Sequence, residues 1–337
     1  MLAPTDNIRE IHGLDPQSLP DDVLASTEPL VLRGLVSNWP MVRAGLESPQ
    51  AGAAYLRRFY RDATVGTLLG GPDIQGRFFY NEDLSGFNFW PVKLKLDAVL
   101  DEILRHEQSE KPPAIYVGST TIDTCLPGFR GENDLAMGER APLASIWIGN
   151  RTRIAAHHDL PDNVACVVVG HRRFTLFPPE QLVNLYVGPL DFTPAGQAIS
   201  LVDFANPDFE RFPKFADALK AVHVAELAPG DAMFIPSMWW HHIESLDAFN
   251  VLVNYWWRRS PRFMDSPMNA LMLAVMTVRD LPPEQRTAWE NLFRHYVFAA
   301  DAETAAHIPA PARRVLAPLD EAGARELRAR ILQKLNR

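Results

Sequence analysis

The stretch between residues 144 and 257 constrains the fold more than any other part of this sequence. It is made of short runs rich in β-branched and aromatic residues, separated by Gly, Pro and polar residues. The runs that we predict as strands are 144–148, 154–158, 163–169, 172–177, 223–227, 231–235 and 249–257. Many short strands with such punctuation are typical of an antiparallel sandwich or barrel.

Proline content supports this interpretation. The chain has 28 Pro in 337 residues, about 8%, against a usual ~5%. Because Pro interrupts helices and the chain has no internal repeat, a helical bundle, a solenoid and a coiled coil are all disfavoured. Gly170-His171 lies between two predicted strands and predicts a tight hairpin, which Pro178-Pro179 would end.

Helical periodicity appears at both ends of this β-rich stretch. The predicted helices are 49–61, 94–107, 267–279, 283–300 and 319–336. We therefore expect a mainly β fold with helical additions: a catalytic domain with an N-terminal elaboration over 1–258, and a C-terminal helical extension over 259–337 that does not fold alone.

Charge and cysteine content exclude some classes of protein. The net charge is −8, from 33 Lys and Arg against 41 Asp and Glu, so a general nucleic-acid binder is disfavoured. Two cysteines, Cys125 and Cys166, do not make a disulfide scaffold, and Cys166 lies in an apolar run typical of a core. The charged N-terminus lacks the apolar region of a secretory signal, and no apolar run approaches the ~20 residues of a membrane span. We expect a cytoplasmic protein.

Two histidine clusters carry the chemistry. The first contains His157, His158 and Asp159, and the second contains His241 and His242. Residues i and i+2 of a strand share a face, so His157 and Asp159 can converge on one point while His158 points away. Two His and one carboxylate form the facial triad of non-haem Fe(II) oxygenases, which leaves three positions of an octahedral ion open. A His-x-Asp pair alone also occurs by chance, as a core or salt-bridged set.

The sequence around these clusters resembles a known family. The segments AHHDLPDNVACVVVGHRRFTLFPPEQLVNLY (156–186) and LAPGDAMFIPSMWWHHIESLDAFNVLVNYWWR (227–258) resemble the cupin-like JmjC dioxygenases. Within that family the likeness is to the asparaginyl hydroxylase that inhibits hypoxia-inducible factor. The match is specific over about 140–258 and looser over 25–135. The resemblance implies a double-stranded β-helix (jelly roll), Fe(II), and 2-oxoglutarate as cosubstrate.

The resemblance also implies roles for individual residues. The metal ligands would be His157, Asp159 and His241. The residues that bind the cosubstrate would be four, namely Arg172, Tyr116, Asn163 and Asn254. The alternative to cosubstrate binding is a purely structural role: an exposed Arg, a core Tyr, and Asn residues that cap turns or strand ends. No catalytic residue beyond the metal ligands is expected, and His158 and His242 would be structural or would orient a metal ligand.

The chain departs from the family pattern at two positions near the cosubstrate. Arg172 stands where the family usually has Lys; its planar guanidinium can bind a carboxylate through two parallel hydrogen bonds. Ile154 stands where the asparaginyl hydroxylase has Thr. Either one hydrogen bond to the cosubstrate is lost, or Thr152 or Thr175 supplies it, and the alternation of side chains along the strands favours Thr152.

Three functions remain open at this point. The first is a 2-oxoglutarate-dependent oxygenase, using O₂ on a protein side chain, a modified nucleoside or a small molecule. The second is a cupin metalloenzyme that does not use 2-oxoglutarate, and the third is a scaffold that keeps the fold without catalysis.

Three arginine groups could form a basic groove, or could be ordinary surface charge: Arg57, Arg58 and Arg61; Arg172 and Arg173; Arg258 and Arg259.

The C-terminal helices predict an oligomer. In the hydroxylase that the chain resembles, the C-terminal helices form a dimer. Here one predicted helix carries the apolar residues Met268, Leu271, Met272, Met276 and Val278. We therefore expect a homodimer through the C-terminal helices.

Overall fold

The structure, a computed structural model, describes residues 3, 5 and 7–336. The chain divides into two compact units, Met1–Arg259 and Ser260–Arg337. Among the described helices, none is both long enough and apolar enough to cross a membrane.

The first unit is built on two β-sheets. Its strands are β1 Arg9–His12, β2 Leu30–Arg33, β3 Thr64–Gly70, β4 Arg77–Phe78, β5 Trp90–Lys95, β6 Ala114–Thr121, β7 Leu143–Gly149, β8 Arg153–His157, β9 Asp162–Val169, β10 Arg172–Phe177, β11 His223–Leu227, β12 Ala232–Ile235, β13 Trp240–Ser245 and β14 Asn250–Trp257. The large sheet has the order β1-β2-β12-β9-β14-β7-β6-β3-β5, and the small sheet has the order β11-β10-β13-β8-β4. Apart from β1 with β2 and β4 with β8, the pairs are antiparallel. This is the predicted mainly β, cupin-like sandwich.

Alternation along the strands builds three layers of apolar packing. Between the sheets, Val167 and Leu252 of the large sheet pack in one cluster with Phe174 and Leu176 of the small sheet. The other face of the large sheet is covered by helices, and the other face of the small sheet by the irregular segment 185–222. The central strands are thus buried on both faces, which explains why β9 and β14 read as nearly continuous apolar runs.

Five of the six α-helices of the first unit precede β7 in the chain, and the sixth lies between β10 and β11. They are α1 Asp21–Leu24, α2 Pro40–Glu47, α3 Pro49–Phe59, α4 Leu96–Arg105, α5 Ile122–Cys125 and α6 Phe215–Ala218. In α3, the Ser48 hydroxyl accepts a hydrogen bond from the Ala51 amide and Pro49 occupies the first helical position, which together fix where the helix begins. Cys125 and Cys166 are both buried, and neither forms a disulfide.

The predicted hairpin at Gly170-His171 is wrong. β9 and β10 lie in different sheets, so this turn is a corner that carries the chain from one sheet to the other. Gly170 has φ +71°, and a Cβ there would lie 2.7 Å from the Phe249 carbonyl oxygen, so the corner requires Gly. A sandwich corner and a hairpin turn place the same residue type between two strands, and the sequence pattern does not separate them.

The second unit is helical. Its helices are α7 Pro267–Thr277, α8 Pro283–Phe293, extended by a π-helical turn over Arg294–Phe298, and α9 Glu321–Leu335. Side chains of Ser266 and Asp320 accept hydrogen bonds at the beginnings of α7 and α9. α7 buries none of its residues, and Leu271, Met272 and Met276 are exposed.

Candidate metal and cosubstrate site

Two paired strands of the small sheet position the histidines. His157 is the last residue of β8 and lies directly opposite His241 of β13, with ring centroids 4.4 Å apart. Asp159 follows two residues later. One ligand atom from each of the three residues lies within 4.8 Å of the others. This spacing suits a single ion bound by all three side chains.

The backbone fixes the orientation of both imidazole rings. Nδ1 of His157 lies 2.9 Å from the Ala155 carbonyl oxygen, and Nδ1 of His241 lies 3.0 Å from the Trp239 carbonyl oxygen. When each Nδ1–H donates to its carbonyl, each Nε2 is left with a free lone pair. Nε2 of His241 lies 3.6 Å from Oδ2 of Asp159, so the free nitrogen faces the carboxylate.

The protonation states suit metal binding. Burial, together with the nearby His241, lowers the pKa of His157 to about 4, so its imidazole is neutral at physiological pH. Burial alone would raise the pKa of Asp159, but the neighbouring histidines, His241 first, lower it to about 2. Neutral imidazole and ionised carboxylate are the forms that bind a divalent cation.

Arg172 lies on the inner face of the small sheet with an unusual lack of partners. Arg172 pairs with Ser245, and Leu176, four residues further along β10, pairs with His241. Alternate residues of a strand share a face, so the side chains of Arg172 and His241 lie on the same side of the sheet. The side chain is 2% exposed, and its Nε and Nη2 have no hydrogen-bond partner among the described residues. Burial lowers the pKa of Arg172 to about 10, so it remains charged. The sandwich thus holds a buried cation whose donors are unused.

Tyr116 faces Arg172 and the metal cluster from the large sheet. It pairs with Gly149 and packs against Trp147, with ring centroids 6.1 Å apart. Burial raises its pKa; the positive charge of Arg172 acts in the opposite direction, and Asp159 raises it further. The phenol is therefore a neutral hydroxyl at physiological pH.

The two asparagines form one hydrogen-bonded chain on the inner face of the large sheet. Nδ2 of Asn254 donates to Oδ1 of Asn163 at 3.2 Å, and Nε1 of Trp147 donates to Oδ1 of Asn254 at 2.7 Å. Asn163 and Asn254 are buried. Because each amide is held by another side chain, the orientation of Asn254 is fixed within the space between the sheets. Trp147 was not predicted as part of this network.

The alternation of side chains along the strands also shows which face of the small sheet the remaining polar residues near Arg172 occupy. The hydroxyl of Thr152 lies 3.3 Å from that of Ser245, the residue opposite Arg172, whereas Thr175 pairs with His242 and points to the other face. Arg173 points away from the site as well, and its Nε donates to Glu226 at 2.9 Å. Thr152 is therefore the threonine that shares the face of Arg172.

His158 and His242 are not part of the metal cluster. His158 packs edge-on against Trp240, with ring centroids 4.7 Å apart, and His242 packs against Phe204 at 4.9 Å. Burial lowers the pKa of both side chains, to about 3 for His242. Both pack against aromatic side chains, as expected for structural residues.

Gln197 is a site residue that sequence reasoning missed. Its Nε2 donates to Oδ1 of Asp159 at 3.0 Å, which leaves Oδ2, the oxygen facing His241, for a metal. The residue follows Gly196, which has φ +98°, in the irregular segment after β10. No motif marks it, because its position depends on how that segment packs back over the strand end.

We expect Gln197→Ala to weaken Fe(II) binding by about 10- to 100-fold, as is usual when a group that orients a metal ligand is lost. The expected cause is that Asp159 loses its only side-chain amide donor among the described residues. Anaerobic titration with Fe(II) measures the effect. Gln181→Ala, in the turn Pro179–Val183, is the matched control and should bind Fe(II) as the wild type does. Equal affinities in both variants would remove Gln197 from the site.

The sequence matches the model of a known protein family. The family is described as a cupin-like domain, and its model matches residues 16–263. The chain belongs to the cupin-like domain family. Its relatives include proteins named as lysine-specific demethylases and a JmjC domain-containing protein, which agrees with the predicted resemblance to the JmjC group.

Individual relatives match only part of their own length. Lysine-specific demethylase 8 of Xenopus tropicalis is 25% identical over 253 residues, which cover 74% of this chain and 52% of that protein. HSPB1-associated protein 1 of Homo sapiens is 32% identical over 173 residues, 49% of this chain and 32% of that protein. The tRNA wybutosine-synthesizing protein 5 of Gallus gallus is 30% identical over 145 residues, 39% of this chain and 42% of that protein. The cupin-like protein thus spans about half or less of the length of these relatives.

Proposed function

We propose that this cupin-like protein is a hydroxylase that depends on Fe(II) and 2-oxoglutarate. One observation supports the proposal above the rest: the cluster of His157, Asp159 and His241 shares the space between the sheets with the guanidinium of Arg172, whose Nε and Nη2 find no partner in the described part of the chain. A dicarboxylate that chelates a metal at one end needs a cation for its other end. The two parts of the site therefore fit one cosubstrate.

The donor set fits Fe(II). Two imidazoles and one carboxylate on adjacent positions suit non-haem iron, and they leave sites for a chelating ligand and O₂. The unused Nε and Nη2 of Arg172 fit a carboxylate, because a buried guanidinium without partners carries a desolvation cost that such an anion would relieve.

Each residue then has a stated role. His157, Asp159 and His241 would hold the iron, which when bound supplies the activation of O₂ with 2-oxoglutarate as co-reductant. Gln197 holds the Asp159 carboxylate in place. Arg172 would bind the distal carboxylate of the cosubstrate. Asp159, Arg172 and His241 are buried, and burial strengthens the electrostatic interactions that they make.

Release of succinate tests the proposal. The protein is loaded anaerobically with Fe(II), mixed with 2-oxoglutarate and exposed to O₂, and succinate is measured. We expect succinate above the level given by Fe(II) without protein. Bound iron without succinate would favour a cupin metalloenzyme that does not use 2-oxoglutarate, and absence of bound iron would favour a non-catalytic scaffold.

We infer that the substrate is a polypeptide side chain rather than a large nucleic acid. The net charge is −8, and each of the three arginine groups that could form a basic groove has at least one member paired with a carboxylate, Arg173 with Glu226 among them. Arg57 pairs with Asp97 and Asp101, and Arg259 pairs with Asp162. Mass spectrometry of candidate proteins and peptides for a mass gain of one oxygen atom tests this; a product found only on a nucleoside would contradict it.

We also propose a homodimer formed through the helices of the second unit. Met276 of α7 is 66% exposed and Leu271 is 46% exposed, more than a monomer usually leaves open on one helix. Light scattering at micromolar concentration should give about twice 37.8 kDa. Met276→Glu should shift the mass toward the monomer, whereas Leu182→Glu, at an exposed site of the first unit, should not. A wild-type mass of 37.8 kDa would refute the dimer.

A further inference from the structure

A cavity separate from the metal cluster opens between β4 and the segment that follows β10. Its volume is roughly 300 Å³, and it is lined by charged and aromatic side chains, among them Arg77, Tyr80, Asp203, Arg211 and Phe212. A cavity of this size accepts a side chain or a small organic molecule. Two of its guanidinium groups have hydrogen-bond donors for which the described residues offer no acceptor.

Arg77 is the more buried of the two. Its guanidinium carbon lies 3.7 Å from the centroid of the Phe79 ring, and its nearest carboxylate oxygen, Oδ2 of Asp203, is 3.6 Å from Nη1. Nη2 has no hydrogen-bond partner among the described residues. Burial and the charge of Arg153 both lower its pKa. Stacking on Phe79 fixes the plane of the cation and leaves its edge free to donate.

Arg211 brings a second cation to the same cavity. Its guanidinium carbon lies 5.1 Å from the centroid of the Phe212 ring, and within the described part of the chain its side chain forms neither a hydrogen bond nor an ion pair. The cavity therefore presents two stacked guanidinium groups. Such groups recognise planar anions, and carboxylates above all.

Three acidic residues line the cavity; Asp203 and Asp208 accept hydrogen bonds from neighbouring groups, whereas the carboxylate of Glu82 has no partner within the described part of the chain. Oδ1 of Asp203 accepts from Nη1 of Arg153 at 3.2 Å and from the Ala205 amide at 3.0 Å. Oδ1 of Asp208 accepts from the amides of Glu210 and Arg211, at 3.1 and 3.0 Å. These carboxylates would repel a doubly charged phosphate more strongly than a single carboxylate. A monoanionic carboxylate is thus the ligand class that the lining favours.

The wall of this cavity is continuous with the strand that carries the metal cluster. Phe79 and Tyr80 pack in one cluster with Ala155 of β8 and Ile199. Ala155 precedes His157 by two residues, about 7 Å along a strand. A polypeptide that reaches the metal cluster could therefore place a neighbouring side chain in the cavity.

We propose that this cavity binds a carboxylate of the substrate, namely an acidic side chain of a polypeptide, through Arg77 and Arg211. The identity of that ligand as substrate rests on the proposed function; binding of the carboxylate itself does not. The cavity would select substrates with Asp or Glu near the oxidised residue.

Binding is tested without iron or turnover. The probe is N-acetyl-L-glutamate α-amide, titrated into the wild-type protein and followed by ligand-observed NMR; N-acetyl-L-glutamine α-amide is the uncharged comparison. We expect saturable binding of the glutamate compound with a Kd on the order of 1 mM, corresponding to one small contact site. The glutamine compound should bind at least about 10-fold more weakly, because its neutral amide cannot form the charge-assisted hydrogen bonds that a carboxylate forms with Arg77.

Variants assign the binding to the cavity. Arg77→Met should abolish binding of the glutamate compound, and Arg211→Met, at an exposed position where folding is not at risk, should weaken it at least about 5-fold. Arg57→Met, which removes an arginine on a remote surface, should leave it unchanged. Equal binding of both compounds, or full binding in Arg211→Met, would overturn the proposal. Binding without succinate release would contradict the proposed function alone, and succinate release without binding would contradict the cavity alone.

Discussion

Replacing His157 or His241 by Ala is expected to abolish Fe(II) binding and the conversion of 2-oxoglutarate to succinate. Each imidazole supplies one of three protein ligands, and each is held by a hydrogen bond from Nδ1 to a backbone carbonyl. Loss of residues that merely orient ligands costs 10- to 100-fold in affinity, so loss of a ligand should cost more than about 100-fold. Anaerobic Fe(II) titration and a succinate assay measure the two effects.

His158→Ala is the matched control for both variants. His158 neighbours His157 in sequence, but its ring packs against Trp240 on the outer face and does not belong to the cluster. We expect this variant to bind Fe(II) with wild-type affinity, even where lost packing lowers its melting temperature. Succinate release in His157→Ala or His241→Ala at the wild-type rate would show that the metal site lies elsewhere.

The geometry of the metal cluster could be predicted because strands impose it. Alternation predicts His157 and Asp159 on one face and His158 on the other, and the structure brings His157 and Asp159 together although β8 ends at His157. The same rule separates Arg172 from Arg173 and Thr152 from Thr175. The partnership of His157 with His241 did not follow from alternation, because the two residues lie 84 positions apart in sequence (241 − 157). It came from the family resemblance.

Features that depend on packing between distant segments could not be predicted. The turn at Gly170 joins two sheets rather than two paired strands. Its local sequence is compatible with both geometries, so the sequence could not distinguish them. β13 was not predicted as a strand although it carries His241. Both of its faces are buried and it holds polar residues on each, so no apolar alternation is visible. Gln197 reaches Asp159 from an irregular segment, and no period or spacing encodes such a contact.

Replacing Arg172 by Met is expected to weaken binding of 2-oxoglutarate by roughly 100-fold or more, about 3 kcal/mol, because a buried pair of charged groups loses one partner. Without cosubstrate the same change should leave the free energy of unfolding unchanged or raise it. The reason is that Nε and Nη2 of Arg172 are buried with no hydrogen-bond partner among residues 7–336, and Met removes that desolvation cost at similar volume. Calorimetric titration with 2-oxoglutarate in the absence of O₂, and urea unfolding of the apoprotein, measure the two quantities.

Arg173→Met should give the opposite pattern, which separates a binding role from a structural one. Arg173 is adjacent in β10 but faces outward, where it pairs with Glu226 and lies 3.8 Å from the buried Glu244. Its loss should lower the free energy of unfolding by roughly 1–3 kcal/mol and leave the affinity for 2-oxoglutarate unchanged. If Arg172→Met instead destabilised the apoprotein and bound 2-oxoglutarate normally, Arg172 would be a structural cation and the cosubstrate would need another anchor. A partial recovery of affinity in Arg172→Lys would further show that the charge contributes alongside the fork geometry, because Lys keeps the charge without the paired donors.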